Sequence, residues 1–344
     1  MKLTGKITKI LANFYYVIDS ENKTWECFAR SRLLKEGKLL FVGDTVEIET
    51  SSSTQGVIVD VKDRKNKIAK PPIANIDQVL VVFSAFEPEF TYYNLDRYLS
   101  FIRYELPHEK ITICINKIDL KKINVDKIYK NSGYDIFYVS ALTKEGLDDL
   151  AYKLLTITTV LTGPSGVGKS TLLKALAPNE DIKIGSLSAI KQGKHITRNV
   201  QLIPFKHNNK YGFLVDTPGF TQISFASLNP RKILTTFKEL NDLECNFNNC
   251  LHNDEEGCAL QNLDKPEPVP ESRLESYHKI LLETQSEVTY GTKQESKTKA
   301  MREKGGGKKF LPKIDEQLRA KSRKKEKQQI SKIDNLNELD ELVN

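Results

Sequence analysis

The sequence has no long apolar run and little cysteine for its length. No stretch of the 344 residues approaches the roughly 18 apolar residues that a membrane-spanning helix needs, and the first ten residues lack the apolar centre of a secretion signal. Five cysteines in so long a chain are too few for a disulfide scaffold. We therefore expect a cytoplasmic protein that has no membrane partner.

Length and charge restrict the organisation of the chain and the class of its partners. Single domains usually contain about 100–200 residues, so a chain of 344 residues indicates several modules. The formal net charge is +7 and the pI is near 8.9, which favours anionic partners such as nucleic acids and phosphate ligands.

Changes in composition predict four segments. Residues 1–68 contain short β-rich stretches separated by turn residues, which predicts a small β-barrel of the OB type. After Pro71-Pro72, residues 72–225 alternate apolar strands with amphipathic helices, which predicts an α/β domain with a parallel, doubly wound sheet. Residues 226–290 form a mainly helical module around a Cys/His cluster, and we expect the basic tail, 291–344, to be disordered when unbound.

The barrel segment mixes lysine and arginine with three aromatic residues, Tyr15, Tyr16 and Trp25, that we expect on its surface. OB barrels commonly bind oligonucleotides, and exposed aromatic rings can stack on bases. A barrel that docks proteins, or that is purely structural, remains an alternative.

The strongest motif is a phosphate-binding loop between the predicted strand Thr158–Thr162 and a helix. It consists of Gly163, Pro164, Ser165, Gly166, Val167, Gly168, Lys169, Ser170 and Thr171. Its glycines let backbone N–H groups surround phosphates, and the helix N-terminus adds partial positive charge. Lys169 can reach the outer phosphates, and the Ser170 hydroxyl can bind Mg²⁺.

Three further motifs stand where other predicted strands end. The guanine-reading motif comprises Asn116, Lys117, Ile118 and Asp119; the others are Ser140 with Ala141, and Asp216 to Gly219. The Asp119 carboxylate can accept hydrogen bonds from N1–H and the exocyclic amine of guanine, whereas adenine presents no matching donor pair. The Asp216 carboxylate is suited to holding Mg²⁺ through a water molecule. Together the motifs predict binding of GTP and GDP.

The order of these motifs is unusual, because the guanine motif and Ser140-Ala141 precede the phosphate loop. A binding site depends on positions in space, so a domain cut at one exposed loop and joined at its old termini can keep its site. The sequence therefore predicts a circularly permuted GTPase that converts GTP and water into GDP and phosphate.

A cluster of three cysteines and one histidine predicts one structural zinc ion per chain. Its members are Cys245, Cys250, His252 and Cys258. Three thiolates and an imidazole satisfy the tetrahedral preference of Zn²⁺ and leave no open position for catalysis. Such sites can supply about 10–16 kcal/mol of apparent binding free energy, enough to fold a small module. Coincidental cysteines or a redox pair are the alternatives.

With these motifs the chain resembles the RsgA family of small-ribosomal-subunit-dependent GTPases over residues 1 to about 290. The zinc spacing Cys-x4-Cys-x-His-x5-Cys and the switch segment Gly193-Lys194-His195-Ile196-Thr197 carry the resemblance. It implies an OB barrel, a permuted GTPase domain and a zinc domain. It also implies late maturation of the 30S subunit near its decoding centre, contact with 16S rRNA and hydrolysis stimulated by that subunit. Relatives often have Thr where this chain has Ile196, so Thr197 is the expected Mg²⁺ ligand, and we expect a monomer.

The group that positions the attacking water is less obvious, because Phe220 stands where many GTPases have a glutamine. The resemblance points to His195 as general base or water-positioning group, acting with Lys169 and Thr197. The alternative is a solvated loop histidine, with ribosomal RNA supplying the missing group. For the whole protein, the alternative function is a GTP-dependent switch that recruits a protein partner and has no RNA role.

Overall fold

The structure, a computed structural model, describes most of the chain up to Tyr290 and two short strands beyond it. The described residues are 2–35, 37–68, 72–129, 132–178, 200–216, 223–225, 228–241, 243–247, 249–253, 255–261, 269–290, 298–302 and 308–312. The chain divides into two compact units, Met1–Glu287 and Val288–Asn344.

The first module is a closed five-stranded barrel. Its elements are β1 (Lys2–Leu11), β2 (Phe14–Asp19), β3 (Thr24–Ala29), α1 (Ser31–Lys35), β4 (Thr45–Thr50) and β5 (Gln55–Val61). The barrel closes because β1 pairs with both β2 and β4, while β5 bridges β3 and β4. Side chains alternate between the two faces of a strand, and the inward set, which includes Ile7, Val17 and Ile48, forms the barrel core.

The expected surface position of Trp25 was wrong. The Trp25 side chain is only 6% exposed and belongs to the barrel core, and its Nε1 donates a hydrogen bond to the Asp19 carboxylate at 2.8 Å. Tyr15 and Tyr16 are half-buried. The exposed aromatic residues of the barrel are instead Phe14 and Phe28.

A short antiparallel pair, β6 (Lys67–Ile68) and β7 (Ile73–Ala74), leads into the α/β domain. The strands of its sheet are β8 (Gln78–Ser84), β9 (Lys110–Asn116), β10 (Asp135–Tyr138), β11 (Thr158–Thr162), β12 (Gln201–His207) and β13 (Lys210–Asp216). They lie in the order β10-β9-β8-β11-β13-β12, and five are mutually parallel, as predicted. The sixth, β12, pairs antiparallel with β13 and was not among the predicted strands.

Helices cover both faces of this sheet. They are α2 (Tyr92–Glu105), α3 (Asp126–Tyr129), α4 (Leu147–Lys153) and α5 (Lys169–Leu176). Alternate residues of β8 pack into two different hydrophobic cores, one on each face of the sheet. Val81 lies in the core that contains Leu99 of α2, and Leu80 lies in the core that contains Leu172 of α5. The doubly wound architecture is therefore confirmed.

The third module packs short helices against one long helix. It contains α6 (Pro230–Leu234), α7 (Lys238–Asn241), a 3-10 turn (Ala259–Gln261) and α8 (Glu271–Tyr290). Arg273 of α8 is fully buried and forms ion pairs with Asp96 of α2 and, at 2.5 Å, with Glu239 of α7. The Asp96 carboxylate also accepts a hydrogen bond from the Tyr129 hydroxyl at 2.8 Å. One buried cation thus joins the helical module to the α/β domain.

In the tail, β14 (Thr298–Arg302) pairs antiparallel with β15 (Lys308–Pro312). The rest of 291–344 lies outside the described residues, so its disorder in the unbound protein stays a prediction. None of the helices in the described ranges combines the length and the apolar character needed to cross a membrane.

Candidate nucleotide site and metal centre

The predicted nucleotide motifs meet at one edge of the sheet. Because β9, β10, β11 and β13 run parallel, their carboxyl ends lie on the same side. The guanine motif begins at the last residue of β9, Ser140 follows β10, and the phosphate loop follows β11. Asp216 is the last residue of β13 and pairs with Leu161 of β11. Open α/β sheets bind their ligands at this edge.

The phosphate loop has a backbone that only glycine adopts without strain at its first position. Gly163 has φ +143°, and a Cβ atom there would lie 2.0 Å from the carbonyl oxygen of Val82. Gly168, with φ +91°, then starts α5, and no side chain caps this helix in the described structure. The N–H groups of its first turn are therefore not engaged by a capping side chain, as a phosphate site requires.

Lys169 lies inside the loop. Its Nζ donates hydrogen bonds to the carbonyl oxygens of Gly163, at 2.8 Å, and Pro164, at 2.6 Å. These contacts hold the ammonium group against the backbone of the loop. A phosphate bound there would meet a cation that is already in place.

Asn116 connects three of the motifs through its side-chain amide. Its Nδ2 donates to the carbonyl oxygen of Val167 in the phosphate loop at 2.9 Å, and its Oδ1 accepts from the N–H of Ala141 at 3.0 Å. The residue is only 2% exposed. A Cβ atom on Gly168 would lie 2.4 Å from the same Nδ2, so a larger residue there would displace the amide.

In the rest of the guanine motif, two residues are anchored by hydrogen bonds and the last residue is exposed. Lys117 has φ +63° and donates through Nζ to the carbonyl oxygen of Glu87. The N–H of Ile118 donates to the carbonyl oxygen of Val139 at 3.3 Å, which ties the motif to the end of β10. Asp119 is exposed. Its carboxylate is thus accessible to a base that offers two N–H donors.

Sequence reasoning missed the segment that follows β8. Glu87 supplies the carbonyl that holds Lys117, and Cδ of Pro88 would lie 3.5 Å from a Cβ on Gly166 of the phosphate loop. The segment thus contacts both the base motif and the phosphate motif. Its position at a strand end was the only sequence signal, because it matches no nucleotide-binding pattern.

Several predicted residues lie outside the described part of the chain. They are His195, Thr197, Gly219 and the side chain of Asp216. Their roles stay predictions.

The predicted zinc ligands are brought together in the helical module. The ligand atoms of Cys245, Cys250, His252 and Cys258 all lie within 4.8 Å of one another. Nδ1 of His252 lies 3.4, 3.8 and 3.2 Å from the sulfur atoms of Cys245, Cys250 and Cys258. A tetrahedron built with ordinary zinc–ligand bonds has edges of about 3.5–3.8 Å. The cluster therefore fits a structural metal site.

Surrounding groups act on the protonation of this cluster in opposite directions, because N–H donors favour the thiolate form and burial favours the thiol. Backbone N–H groups of His252 and Ala259 donate to the sulfur atoms of Cys250, at 3.3 Å, and Cys245, at 3.2 Å. Burial raises the pKa of the Cys250 thiol to about 12, so metal binding has to displace its proton. His278 contacts the carbonyl oxygen of His252 through Nε2 at 2.7 Å and so ties α8 to the cluster.

The permuted order of these strand-end motifs defines the class of the protein, a circularly permuted P-loop GTPase. Residues 4–58 match the RsgA N-terminal domain and residues 61–226 match the RsgA GTPase domain. The chain belongs to the RsgA GTPase family and is a GTP-hydrolysing enzyme. The predicted resemblance is thereby confirmed.

Relatives align along nearly their whole length. The Small ribosomal subunit biogenesis GTPase RsgA 1 of Listeria monocytogenes serotype 4b (strain F2365) is 39% identical over an alignment of 292 residues that covers 82% of this chain and 97% of that protein. The crystal structure of YjeQ from Thermotoga maritima matches with a TM-score of 0.70 and 30% identity, covering 82% of this chain and 98% of that one. YloQ, a circularly permuted GTPase, matches with a TM-score of 0.67 and 30% identity, covering 83% and 96%.

Proposed function

We propose that the protein binds the 30S ribosomal subunit, assists its late maturation and leaves it on GTP hydrolysis, which the subunit stimulates. Its relatives are named small ribosomal subunit biogenesis GTPases, and this chain covers 97% of the length of one of them. The observation that carries the proposal is this near-full-length identity of 39% to a small ribosomal subunit biogenesis GTPase, and the Asn116 amide, which joins the phosphate loop to Ala141, supports its nucleotide-binding part. The protein acts as a cytoplasmic monomer whose target is 16S rRNA.

The roles of the site residues follow from their positions. Asp119 reads guanine, Lys169 and the backbone of 163–168 hold the phosphates, and Ser170, with Thr197, holds Mg²⁺. Bound Mg²⁺ neutralises charge that develops on the phosphate oxygens. His195 positions the attacking water, with a group of the ribosomal RNA as the alternative.

The C-terminal cluster holds a structural zinc ion. The ligand set, with three sulfur atoms and one imidazole nitrogen, favours Zn²⁺ over hard cations such as Mg²⁺, which prefer oxygen ligands. All four protein ligands are provided, so the site has a role in folding. The boundaries 1–68, 72–225, 226–290 and 291–344 complete the proposed organisation.

Contacts of Arg97 connect the segment after β13 to the helical module, so GTP hydrolysis can affect that module. Ile223 follows β13 by seven residues, and its carbonyl oxygen accepts a hydrogen bond from Nη2 of Arg97 at 3.4 Å. The same Nη2 lies 2.7 Å from the carboxylate of Glu283 on α8. A shift of Ile223 would therefore reach α8 through one side chain of α2.

Cosedimentation with purified 30S subunits tests this function. The full chain should pellet with the subunits in the presence of a non-hydrolysable GTP analogue, and it should stay in the supernatant with GDP. Binding should weaken steeply as salt rises, because contacts to RNA phosphates release counterions. Salt-independent binding would favour a protein-recruiting switch, and absence of binding would reject the ribosomal function.

A further inference from the structure

The first strand of the barrel also pairs with the sheet of the α/β domain. Residues 2–6 of β1 pair with β4, and the register then shifts between Ile7 and Lys9, after which Lys9 pairs with Gln201 of β12. A bulge of this kind bends a strand and gives it a new direction. Ile10 packs against both the barrel core and a core of the α/β domain. The barrel therefore continues the sheet beyond β12.

Gln201 stands between the two segments predicted to bind Mg²⁺. It comes four residues after Thr197 in the chain, and across the sheet it lies opposite Asp216. Its partner on the other side is Lys9 of the barrel. In the described sheet, β12 lies between β13 and β1, whereas β11 lies between β13 and β8. The position of β12 thus depends on the barrel, while the phosphate loop after β11 is held by strands of its own domain.

One side chain of the barrel reaches across β12 and β13 to β11. Nζ of Lys6 donates a hydrogen bond to Oγ1 of Thr158 at 2.9 Å and lies 5.0 Å from the ring centroid of Phe213. Phe213 pairs with Pro204 of β12 and with Thr158 of β11, so the Lys6 side chain follows one row of the sheet. Because β11 leads into the phosphate loop and β13 ends at Asp216, one ammonium group contacts both strands that carry phosphate-site motifs.

The position of the Lys6 ammonium group is costly. Burial lowers the pKa of Lys6, and the charge of Asp77 opposes this effect. The Asp77 carboxylate is itself fixed at the start of β11, where it accepts a hydrogen bond from the N–H of Thr158 at 2.9 Å. Lys6 forms no ion pair with any residue of the described ranges. An apolar side chain would attach the barrel without burying a charge, so simple docking does not account for a lysine here.

We propose that Lys6 is a positioning residue for GTP hydrolysis, which fixes β13 and β12 relative to the phosphate loop and so places Asp216 and the chain after Thr197. The inference rests on the Mg²⁺-binding roles predicted for these two residues. GDP binding depends instead on the phosphate loop and on Asp119, which follow β11 and β9. Loss of the Lys6 ammonium group should therefore slow hydrolysis and spare GDP binding.

Lys6→Met keeps an unbranched apolar side chain, removes the ammonium group and tests this role in the full chain without ribosomal particles. Single-turnover GTP hydrolysis should fall about 10–100-fold, the size of effect that small displacements far from the chemistry produce. Affinity for a fluorescent GDP analogue should stay at the native value. Hydrogen exchange should become faster in β12, while β11 keeps its protection. Lys9→Met is the matched control, because Lys9 lies on the same strand with its Nζ 5.8 Å from the ring centroid of Tyr16 in the barrel, and it should behave as native protein in all three measurements.

Fluorescence of the buried Trp25 shows whether the barrel of each variant is folded. If Lys6→Met does not fold, Thr158→Val replaces it, because valine keeps the shape and removes the acceptor; Thr158→Ser, which keeps the hydroxyl, should retain native turnover. Native turnover in a folded Lys6→Met protein, or slow turnover with unchanged exchange of β12, would overturn the proposal. Equal losses of GDP affinity and turnover would also overturn it and indicate damage to the phosphate loop. Mg²⁺-independent hydrolysis by native protein would instead count against the roles of Asp216 and Thr197.

Discussion

Replacing Asn116 with alanine removes the amide that ties the phosphate loop to Ala141. The native side chain makes one hydrogen bond in each direction, to Val167 at 2.9 Å and from Ala141 at 3.0 Å, and is almost completely buried. In Asn116→Ala, a carbonyl of the phosphate loop and an N–H beside Ser140 both lose their partner. The two halves of the nucleotide site are then no longer held together by this residue.

The size of the effect follows from these two bonds. Each buried polar group left without a partner costs about 1–3 kcal/mol, so the upper limit for two groups is about 2–6 kcal/mol. In the unliganded protein, movement of the phosphate loop can recover part of this free energy. Nucleotide binding then has to restore the native geometry of the loop. We expect GDP and GTP affinity to fall by about 10–100-fold, which corresponds to about 1.4–2.7 kcal/mol.

Titration with a fluorescent GDP analogue measures this change, and thermal unfolding shows whether the variant is folded. Asn66→Ala is the matched control, because the half-buried Asn66 also makes two amide hydrogen bonds, to the backbone of Ile76 at 2.7 and 2.8 Å, but near the amino end of β8. The control should lose stability and keep nucleotide affinity. A folded Asn116→Ala protein with native affinity would refute the bridging role of the amide.

Three further predictions test other parts of the molecule. Asp119→Asn should weaken GTP binding and favour xanthosine triphosphate, because the 2-oxo group of xanthine accepts a hydrogen bond from an amide. Competition titration measures this change, and unchanged GTP affinity would show that Asp119 is not part of the site. Cys250→Ser should abolish binding of the single zinc ion and unfold the helical module while GTP binding persists; elemental analysis that finds no zinc in native protein purified without chelator would contradict this. Arg273→Met leaves the buried Asp96 and the half-buried Glu239 without their cation, so denaturant unfolding should show a loss of about 3–5 kcal/mol. A loss near zero would show that the ion pairs do not hold the modules together.

Much of the α/β domain and its site could be predicted because the signals are local. The strand predicted at Thr158–Thr162 coincides with β11, because a run rich in β-branched residues ends there at a glycine with φ +143°. Once β9 and β11 are assigned as parallel strands, the motifs after them have to meet at one edge. The permuted order of the motifs is likewise visible directly in the sequence.

Features set by tertiary packing could not be predicted in this way. Arg273 pairs with Asp96 across 177 positions, and nothing in the local sequence of either residue identifies the partner. The inward position of Trp25 was missed because β2 and β3 have aromatic residues on both faces, which weakens the alternation that normally identifies the buried side. The antiparallel β12 contains Pro204, which argues against a strand unless the proline occupies a permissive position.

Steady-state GTP hydrolysis by the full chain, with and without purified 30S subunits, tests the proposed function most directly. Phe220 cannot orient a water molecule, so the chain alone should turn over slowly, and 30S subunits should accelerate it strongly, towards the roughly 10³–10⁵-fold effects of partners in other GTPases. Lys169→Ala should show no turnover in either condition, because the outer phosphates lose their cation. Unchanged turnover of the native protein in the presence of 30S subunits would contradict the proposed ribosomal function.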